Sequence, residues 1–204
     1  VKKTAIGLGI ALLAMAYLIF GATEGKRYFQ VKETTIESKD VPQGFDGYRI
    51  VQLSDMHVGS WNGDTRAMEK AVSIINDLQP DLIVFTGDLV NNLASELDNF
   101  IPVFSKLKAK DGVYSVLGNH DYSTYIHWEN PEDQKEELVR LKQKQAEMGW
   151  TMLNNRHVKL YNQNDSIALI GVENSGRPPF PDYAKLSEAM QGTEGMFQIL
   201  LSHD

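Results

Sequence analysis

Cysteine is absent from the 204 residues, and its absence excludes disulfides, thiolate catalysis and Cys-ligated zinc. That composition fits either side of a membrane. A basic excess is missing too: 20 Lys and Arg stand against 27 Asp and Glu, a formal net charge of -7. The electrostatic footprint that neutralises a nucleic-acid backbone is therefore lacking, and no nucleic-acid partner is expected. Net charge says little about a pocket that holds divalent ions, because the ions invert the local sign. Internal repeats and low-complexity segments are also lacking. What is present, 42% hydrophobic and 23% charged residues, belongs to a globular chain long enough for one domain with a real core.

One long apolar run exists. Residues Ala5 to Ala22 carry no charge and follow Lys2-Lys3, about the length of a bilayer-spanning helix. A cleaved signal peptide is the competing reading, but its apolar region is shorter and wants small residues where Ile19-Phe20 stand. We read residues 1–23 as an uncleaved, single-pass transmembrane anchor. Lys26, Arg27 and Lys32 balance Lys2 and Lys3, so charge alone does not orient it. An N-terminal anchor before a long soluble domain argues for export, with that domain outside the cytoplasm at the cell membrane.

Residues 24–46 turn polar and read as a linker, with an edge strand over Phe29 to Glu37 and a turn at Pro42-Gln43-Gly44. Residues 47–204 then alternate. Apolar runs at Tyr48 to Leu53, Leu82 to Thr86 and Val113 to Leu117 are separated by helical patterns at Asp64 to Leu78 and Ser95 to Lys108. Strands separated by single helices imply βαβ units in a mostly parallel sheet. Asp64 and Ser95 are expected helix N-caps, and Pro80 stops the first helix. The charged stretch Glu132 to Glu147 predicts a solvent-facing helix stopped by Gly149. Short strands follow at Thr151 to Leu153, His157 to Tyr161, Ser166 to Val172 and Phe197 to Leu201, with a brief helix near Tyr183 to Met190. An α/β layered sandwich of two β-sheets flanked by helices accommodates this order.

Four polar clusters lie where apolar runs end: Asp55-Met56-His57, Gly87-Asp88, Gly118-Asn119-His120-Asp121 and Ser202-His203-Asp204. In open α/β sheets the functional crevice lies beyond the carboxyl ends of the strands. A divalent cation pair needs oxygen and imidazole ligands from separate segments, with one carboxylate able to sit between the ions. Asp55 and His57, two apart, share a face. Gly87 lets the backbone approach closely enough for Asp88 to bridge. Asn119 offers a neutral amide oxygen and His203 a nitrogen. Each motif alone occurs by chance, whereas their conjunction, in order, points to a metal site. His127, His157, Trp61-Asn62 and Glu173-Asn174 lack such context and are read as surface, packing or turn residues.

Asp-x-His, then Gly-Asp, then Gly-Asn-His-Asp, then a lone His after a strand resembles the calcineurin-like metallophosphoesterases, over roughly residues 46 to 204. The stretch Phe45-Asp46-Gly47-Tyr48-Arg49-Ile50-Val51-Gln52-Leu53-Ser54-Asp55 is similar to a membrane-anchored bacterial branch of that family. The resemblance implies two divalent ions (Mn, Fe or Zn). Asp55, His57 and Asp88 would hold the first; Asp88, Asn119 and His203 would hold the second. It makes His120 the proton donor to the leaving oxygen, with Asp121 its orienting partner, and implies attack on phosphorus by a metal-bridging hydroxide.

A downstream Gly-His-x-His of the family does not occur before residue 204, so the chain reads as C-terminally truncated, its sandwich incomplete. These residues alone are expected to bind metal weakly and turn over little. Asn91-Asn92-Leu93 stands where phosphoprotein phosphatases have Asp-Arg-Gly, and the missing arginine would grip a monoester dianion. A phosphodiester or pyrophosphate is therefore the expected substrate, with a lipid-linked phosphate favoured by the anchor. The alternative is a catalytically silent scaffold on the same fold, but scaffolds shed ligands and every ligand type is here.

Overall fold

Strand position in the first sheet follows from which apolar runs can be buried on both faces. The computed structural model describes residues 2–23, 25–177 and 182–203; Glu24, at the head of the linker, and Asp204, in the fourth cluster, lie outside them. Contacts divide the chain into two units, residues 1–36 and 37–204.

The first unit is built on helix α1, Lys2–Thr23, followed by a 3-10 turn at Gly25–Arg27. Its described apolar side chains, Ile6 to Phe20, are exposed around the whole circumference, so no face is reserved for a protein core. Among the described residues no helix is long and apolar enough to cross a membrane. Residues 28–38 form no strand, which corrects the edge strand expected over Phe29 to Glu37. Thr34, Thr35 and Ile36 favour extended backbone, but a strand exists only through a partner's ladder.

In the second unit β1 (Ile50–Leu53), β2 (Leu82–Phe85), β3 (Val113–Ser115) and β4 (Thr151–Met152) form a parallel sheet in that order. Beside it, β5 (Arg156–Asn162), β6 (Asp165–Gly171) and β7 (Phe197–Leu201) form a second sheet, β5 antiparallel and β7 parallel to β6. Helices α2 (Arg66–Asp77), α3 (Ile101–Phe104), α4 (Pro131–Glu147) and α5 (Leu186–Ala189) complete the α/β fold. Leu82 and Val84 of β2 meet Leu160, Ile167, Leu169 and Leu201 in the core between the sheets. Phe85, on the other side of the pleat, packs its ring 5.4 Å from Trp150, which also meets Phe104. On the outer face of the second sheet Ala168 and Ile170 meet Ala189 of α5.

Two expected helices differ in character. The pattern Ser95 to Lys108 resolves into a 3-10 turn at Ala94–Leu97 and the four-residue α3, whose second residue is Pro102; proline supplies no N–H and limits what precedes it. α4 is solvent-facing on one side only, since Glu137, Leu141 and Gln145 are buried at four-residue spacing. The N-cap of α2 is Thr65, without a side-chain cap bond, rather than the expected Asp64, which stands one residue earlier and accepts from Arg66 N at 3.2 Å; Gly149 ends α4 with φ +81. Ser95 does not cap: Glu96 does, and its carboxylate accepts from the N–H groups of Asn91, Asn92 and Leu93.

Candidate metal centre

Register brings the clusters to one edge. Leu53 pairs with Phe85 and Phe85 with Ser115, so β1, β2 and β3 end level and the loops after them leave the sheet side by side. Parallel pairing then continues beyond the strands: Asp55 N donates to Gly87 O (3.0 Å), His57 N to Asp88 O (3.1 Å) and Val58 N to Leu89 O (3.0 Å). Strict alternation fails after Ser54, because Asp55, His57 and Asp88 all take left-handed backbone, φ 56, 41 and 61. Such conformations cost about 1–2 kcal/mol per residue and persist where surrounding structure holds them.

Asp121 is the holder. Its fully buried carboxylate accepts four backbone N–H groups, from Asp88 (3.0 Å), Leu89 (2.9 Å), Val90 (3.2 Å) and Gly118 (3.0 Å). Burial lifts this carboxyl to about 6, opposed by the N–H of Gly118 and aided by the charge of Asp88. It therefore does not orient His120, as the sequence reading expected. That imidazole is held by the carbonyl of Asn91, 2.7 Å from Nδ1.

Close approach of two glycines sets the depth of the site. Gly87 has φ +102, and a Cβ there would stand 2.5 Å from Gly118 N and 2.8 Å from His203 Nδ1. A Cβ on Gly118 would stand 2.6 Å from Asp88 N. Neither position tolerates a side chain without displacing Asp88 or His203.

At the centre Asp88 is nearly buried, its Oδ1 accepting His120 N at 2.9 Å. Its Oδ2 faces His57 Nε2 at 3.5 Å and His203 Nε2 at 3.4 Å. Asp55 Oδ1 lies 3.8 Å from His57 Nε2. Two groups have donor atoms mutually within 4.8 Å, His57–Asp88–His120 and Asp55–Asp88–His203, and Asp88 belongs to both. Asn119 joins through Oδ1, 3.1 Å from His203 Nε2. The structure thus gathers Asp55, His57, Asp88, Asn119, His120 and His203 into one cluster. His57 and His120 also meet edge to face, ring centres 4.7 Å apart, closer than the sequence implied.

Electrostatics fit a cation. Burial alone would raise Asp88, but the hydrogen bond from His203 and the N–H of His120 outweigh it and leave the carboxyl below its ordinary value. The Asp88 hydrogen bond, opposed by burial and helped by Asp88 charge and the Thr86 carbonyl, pushes His203 up to about 9. His203 Nδ1 faces Thr86 O at 2.8 Å, so Nε2 points at two acceptors, Asp88 Oδ2 and Asn119 Oδ1. A proton on Nε2 reconciles the three groups, and a divalent ion does so with more charge. His57 Nδ1 is buried without a hydrogen-bond partner, and Nε2 carries the ring's contacts with the cluster. Carboxylate, amide oxygen and imidazole together suit Mn, Fe or Zn without choosing among them.

Three participants escaped the sequence reading. Asn91 acts through its backbone carbonyl, which every residue has, and Glu96 acts by capping residues 91–93. Tyr125 stacks on His120, ring centres 4.4 Å apart, and accepts from Asn119 Nδ2 at 2.6 Å. The Gly-Asn-His-Asp motif could have directed attention to the loop after it, but no spacing rule selects position 125. Elsewhere, Trp61 donates to Met56 O and His157 Nδ1 pairs with Ala189 O. Glu173 accepts from Tyr122 OH and Asn155 Nδ2, fastening the second sheet's loop to the His120–Tyr122 turn.

Comparison with known sequences bears on this geometry. The family model described as calcineurin-like phosphoesterase matches residues 48–196. A zebrafish (Danio rerio) transmembrane protein with metallophosphoesterase domain is 30% identical over 205 residues, covering 95% of this chain and 44% of its own length. The Bacillus subtilis (strain 168) uncharacterized metallophosphoesterase YkuE is 36% identical over 126 residues, 58% of this chain and 44% of the relative. UDP-2,3-diacylglucosamine pyrophosphatase LpxG of Chlamydia muridarum is 40% identical over 81 residues, 39% of this chain and 24% of the relative. The chain spans less than half the length of each of these three.

Proposed function

The chain belongs to the calcineurin-like phosphoesterase family, and from that premise we propose that it serves a two-cation hydrolase of phosphodiester or pyrophosphate bonds at the cell envelope. One observation carries the reading: Asp88 is common to both groups of converging donors. As the family resemblance divides the ligands, Asp55, His57 and Asp88 would hold one cation and Asp88, Asn119 and His203 the other, whereas the converging donors themselves set His57 beside His120 and Asp55 beside His203; Asp88 is shared in both divisions. The short separations His57–Asp88 and His203–Asp88 support that sharing. A bound divalent pair supplies Lewis acidity to the phosphoryl oxygens and lowers the pKa of an attacking water.

The chain's own residues do the rest. With Nδ1 committed to Asn91 O, His120 presents Nε2 to the centre and, when protonated there, donates to the leaving oxygen. Asp121 holds the loops after β2 and β3 in register, keeping Asp88 beside His120. Water attacks phosphorus directly, since the cluster's imidazoles and carboxylates are engaged in ligation, positioning or proton transfer and none is left to form a phosphoenzyme.

Substrate class rests on the 91–93 loop. Its N–H groups are taken by Glu96, Asn91 bonds Ser60, and none of the three residues is cationic, which leaves no arginine there to grip a monoester dianion. One relative is named for the pyrophosphate of UDP-2,3-diacylglucosamine, in which a nucleotide is linked to a diacylated sugar, and a lipid-linked pyrophosphate is the substrate class carried to this chain. Another is named a transmembrane protein, which supports a membrane location although no described helix is long and apolar enough to cross one. Turnover by these 204 residues alone is expected to be slow; in Mn2+ it is expected to favour bis(p-nitrophenyl) phosphate or a UDP-linked pyrophosphate over p-nitrophenyl phosphate, and His120→Ala to lower kcat by about 10²–10⁴. Preferential monoester cleavage, or turnover indifferent to chelator, would overturn the proposal. Membrane fractionation with protease added from outside tests the location.

A further inference from the structure

Tyr125 is exposed by about half, 47%, an odd place for an aromatic ring unless something holds it. Two contacts do, and both run to the centre. The ring lies nearly flat on His120, tilted 25°, with centres 4.4 Å apart. The hydroxyl accepts from Asn119 Nδ2 at 2.6 Å.

The second contact matters for an amide. Asn119 can be turned about its last bond to exchange oxygen and nitrogen, and only the oxygen can bind a cation. In the structure Oδ1 faces His203 Nε2 at 3.1 Å and Nδ2 faces Tyr125. The phenolic hydroxyl can accept from the amide N–H or donate to its oxygen; here it accepts, and it fixes the amide in place with Oδ1 on the side of His203. Phenylalanine would do neither.

We propose that Tyr125 is a positioning residue for the centre: its hydroxyl holds the Asn119 amide with Oδ1 toward the second cation, and its ring keeps His120 edge-on to His57. The inference rests on Asn119 serving as a ligand, as read above. No atom of Tyr125 touches the cation in this scheme. It acts through Asn119 on affinity and through His120 on geometry. The position lies six residues beyond Asn119, on the loop that leaves the 3-10 turn at His120–Tyr122.

The test is a Mn2+ titration of the chain, reading free Mn2+ by its six-line EPR signal, for four proteins: unaltered, Tyr125→Phe, Asn119→Asp and the double variant. Tyr125→Phe keeps the stacking ring and loses only the hydroxyl. It is expected to weaken one of two Mn2+ sites, the one lost or altered in Asn119→Asp, about three- to tenfold and to leave the other unchanged. In the Asn119→Asp background both side-chain ends are oxygen, so adding Tyr125→Phe is expected to change that site less than twofold. Circular dichroism of each variant keeps a folding defect separate from a local one. A Tyr125→Phe titration that overlays the unaltered one overturns the inference alone, as does an equal loss in both backgrounds, which would mark the hydroxyl as merely structural. Failure of the unaltered chain to bind Mn2+ at millimolar concentration overturns the ligand reading and the inference with it.

Discussion

Asp88 and Asp121 are both buried carboxylates, and their neighbours give them opposite tasks. Asp121 faces four backbone donors and no imidazole, so it is a structural acceptor. Asp88 spends one oxygen on His120 N–H and turns the other to two imidazoles, so it is the cation-facing one. The motifs already set Asp88 apart as the bridging candidate and Asp121 as a positioning group, but no local pattern shows that Asp121 holds backbone N–H groups in place of His120. Asp121→Asn turns an NH2 toward donors it cannot satisfy. With about 1–3 kcal/mol for each orphaned buried N–H, stability measured by urea denaturation at pH 8 falls by about 3 kcal/mol, and the left-handed loop at Asp88 loses its tether. A loss below about 1 kcal/mol would show that the four contacts are not holding the loops.

His203 gives a pH dependence at the same scale. Its folded-state pKa of about 9 lies above the ordinary 6.5, so the folded state binds this proton more tightly than the unfolded state. The contribution to stability is full below about pH 6.5 and fades as pH rises through about 9 in chelator-treated protein. Cation binding runs the other way, because a metal must displace the Nε2 proton. Near neutral pH, Mn2+ binding therefore releases up to one proton from His203, and affinity rises by up to about tenfold per pH unit toward 9. Calorimetry in buffers of different ionisation enthalpy checks it; a binding heat independent of buffer would contradict it.

Among the elements, strand ends are what the sequence made legible. The apolar runs closing at Leu53 and Leu201 coincide with strand ends because such a run must be covered, while the runs to Thr86 and Leu117 overshoot β2 and β3 by one and two residues. Periodicity served less well where the chain is short of regular hydrogen bonding. Residues 95–108 carry an apolar pattern, yet Pro102 and the turn at Ala94–Leu97 leave only α3 helical. Charge misled at α4: Glu137 is buried because Ala94 N and Arg140 pair with it. The Ala94–Leu97 turn has a task beyond connection, since Glu96 gathers the N–H groups of residues 91–93 and so fixes the carbonyl that holds His120. Glu96→Ala is expected to cost about 1–3 kcal/mol in stability and to lower kcat more than it raises KM. Unchanged kcat in a folded Glu96→Ala protein would break the link between this turn and His120.

At the scale of the molecule, two sheets contribute to one site: β1, β2 and β3 from the first and β7 from the second. Sequence order placed these polar clusters at the ends of strands, as the structure has them, whereas the meeting of His203 with Thr86 and Asn119 depends on sheet-on-sheet packing that no local pattern encodes. Gly171 marks that packing, because a Cβ there would collide with Leu153 and Val116 of the facing layer. Helix α1 forms over the apolar run, but no described helix is long and apolar enough to cross a membrane, which does not bear out the transmembrane reading of that run, and the segment after it lacks the strand that its composition suggested.

The central claim is that one carboxylate serves two cations. EPR of the Mn2+-loaded protein tests it most directly, comparing the unaltered chain with Asp88→Asn, which keeps an oxygen for His120 N–H but loses the charge. Two Mn2+ with an exchange-coupled spectrum are expected in the unaltered protein, and in Asp88→Asn a loss of coupling with both affinities down about tenfold or more. One Mn2+ site surviving in Asp88→Asn at its original affinity would contradict it.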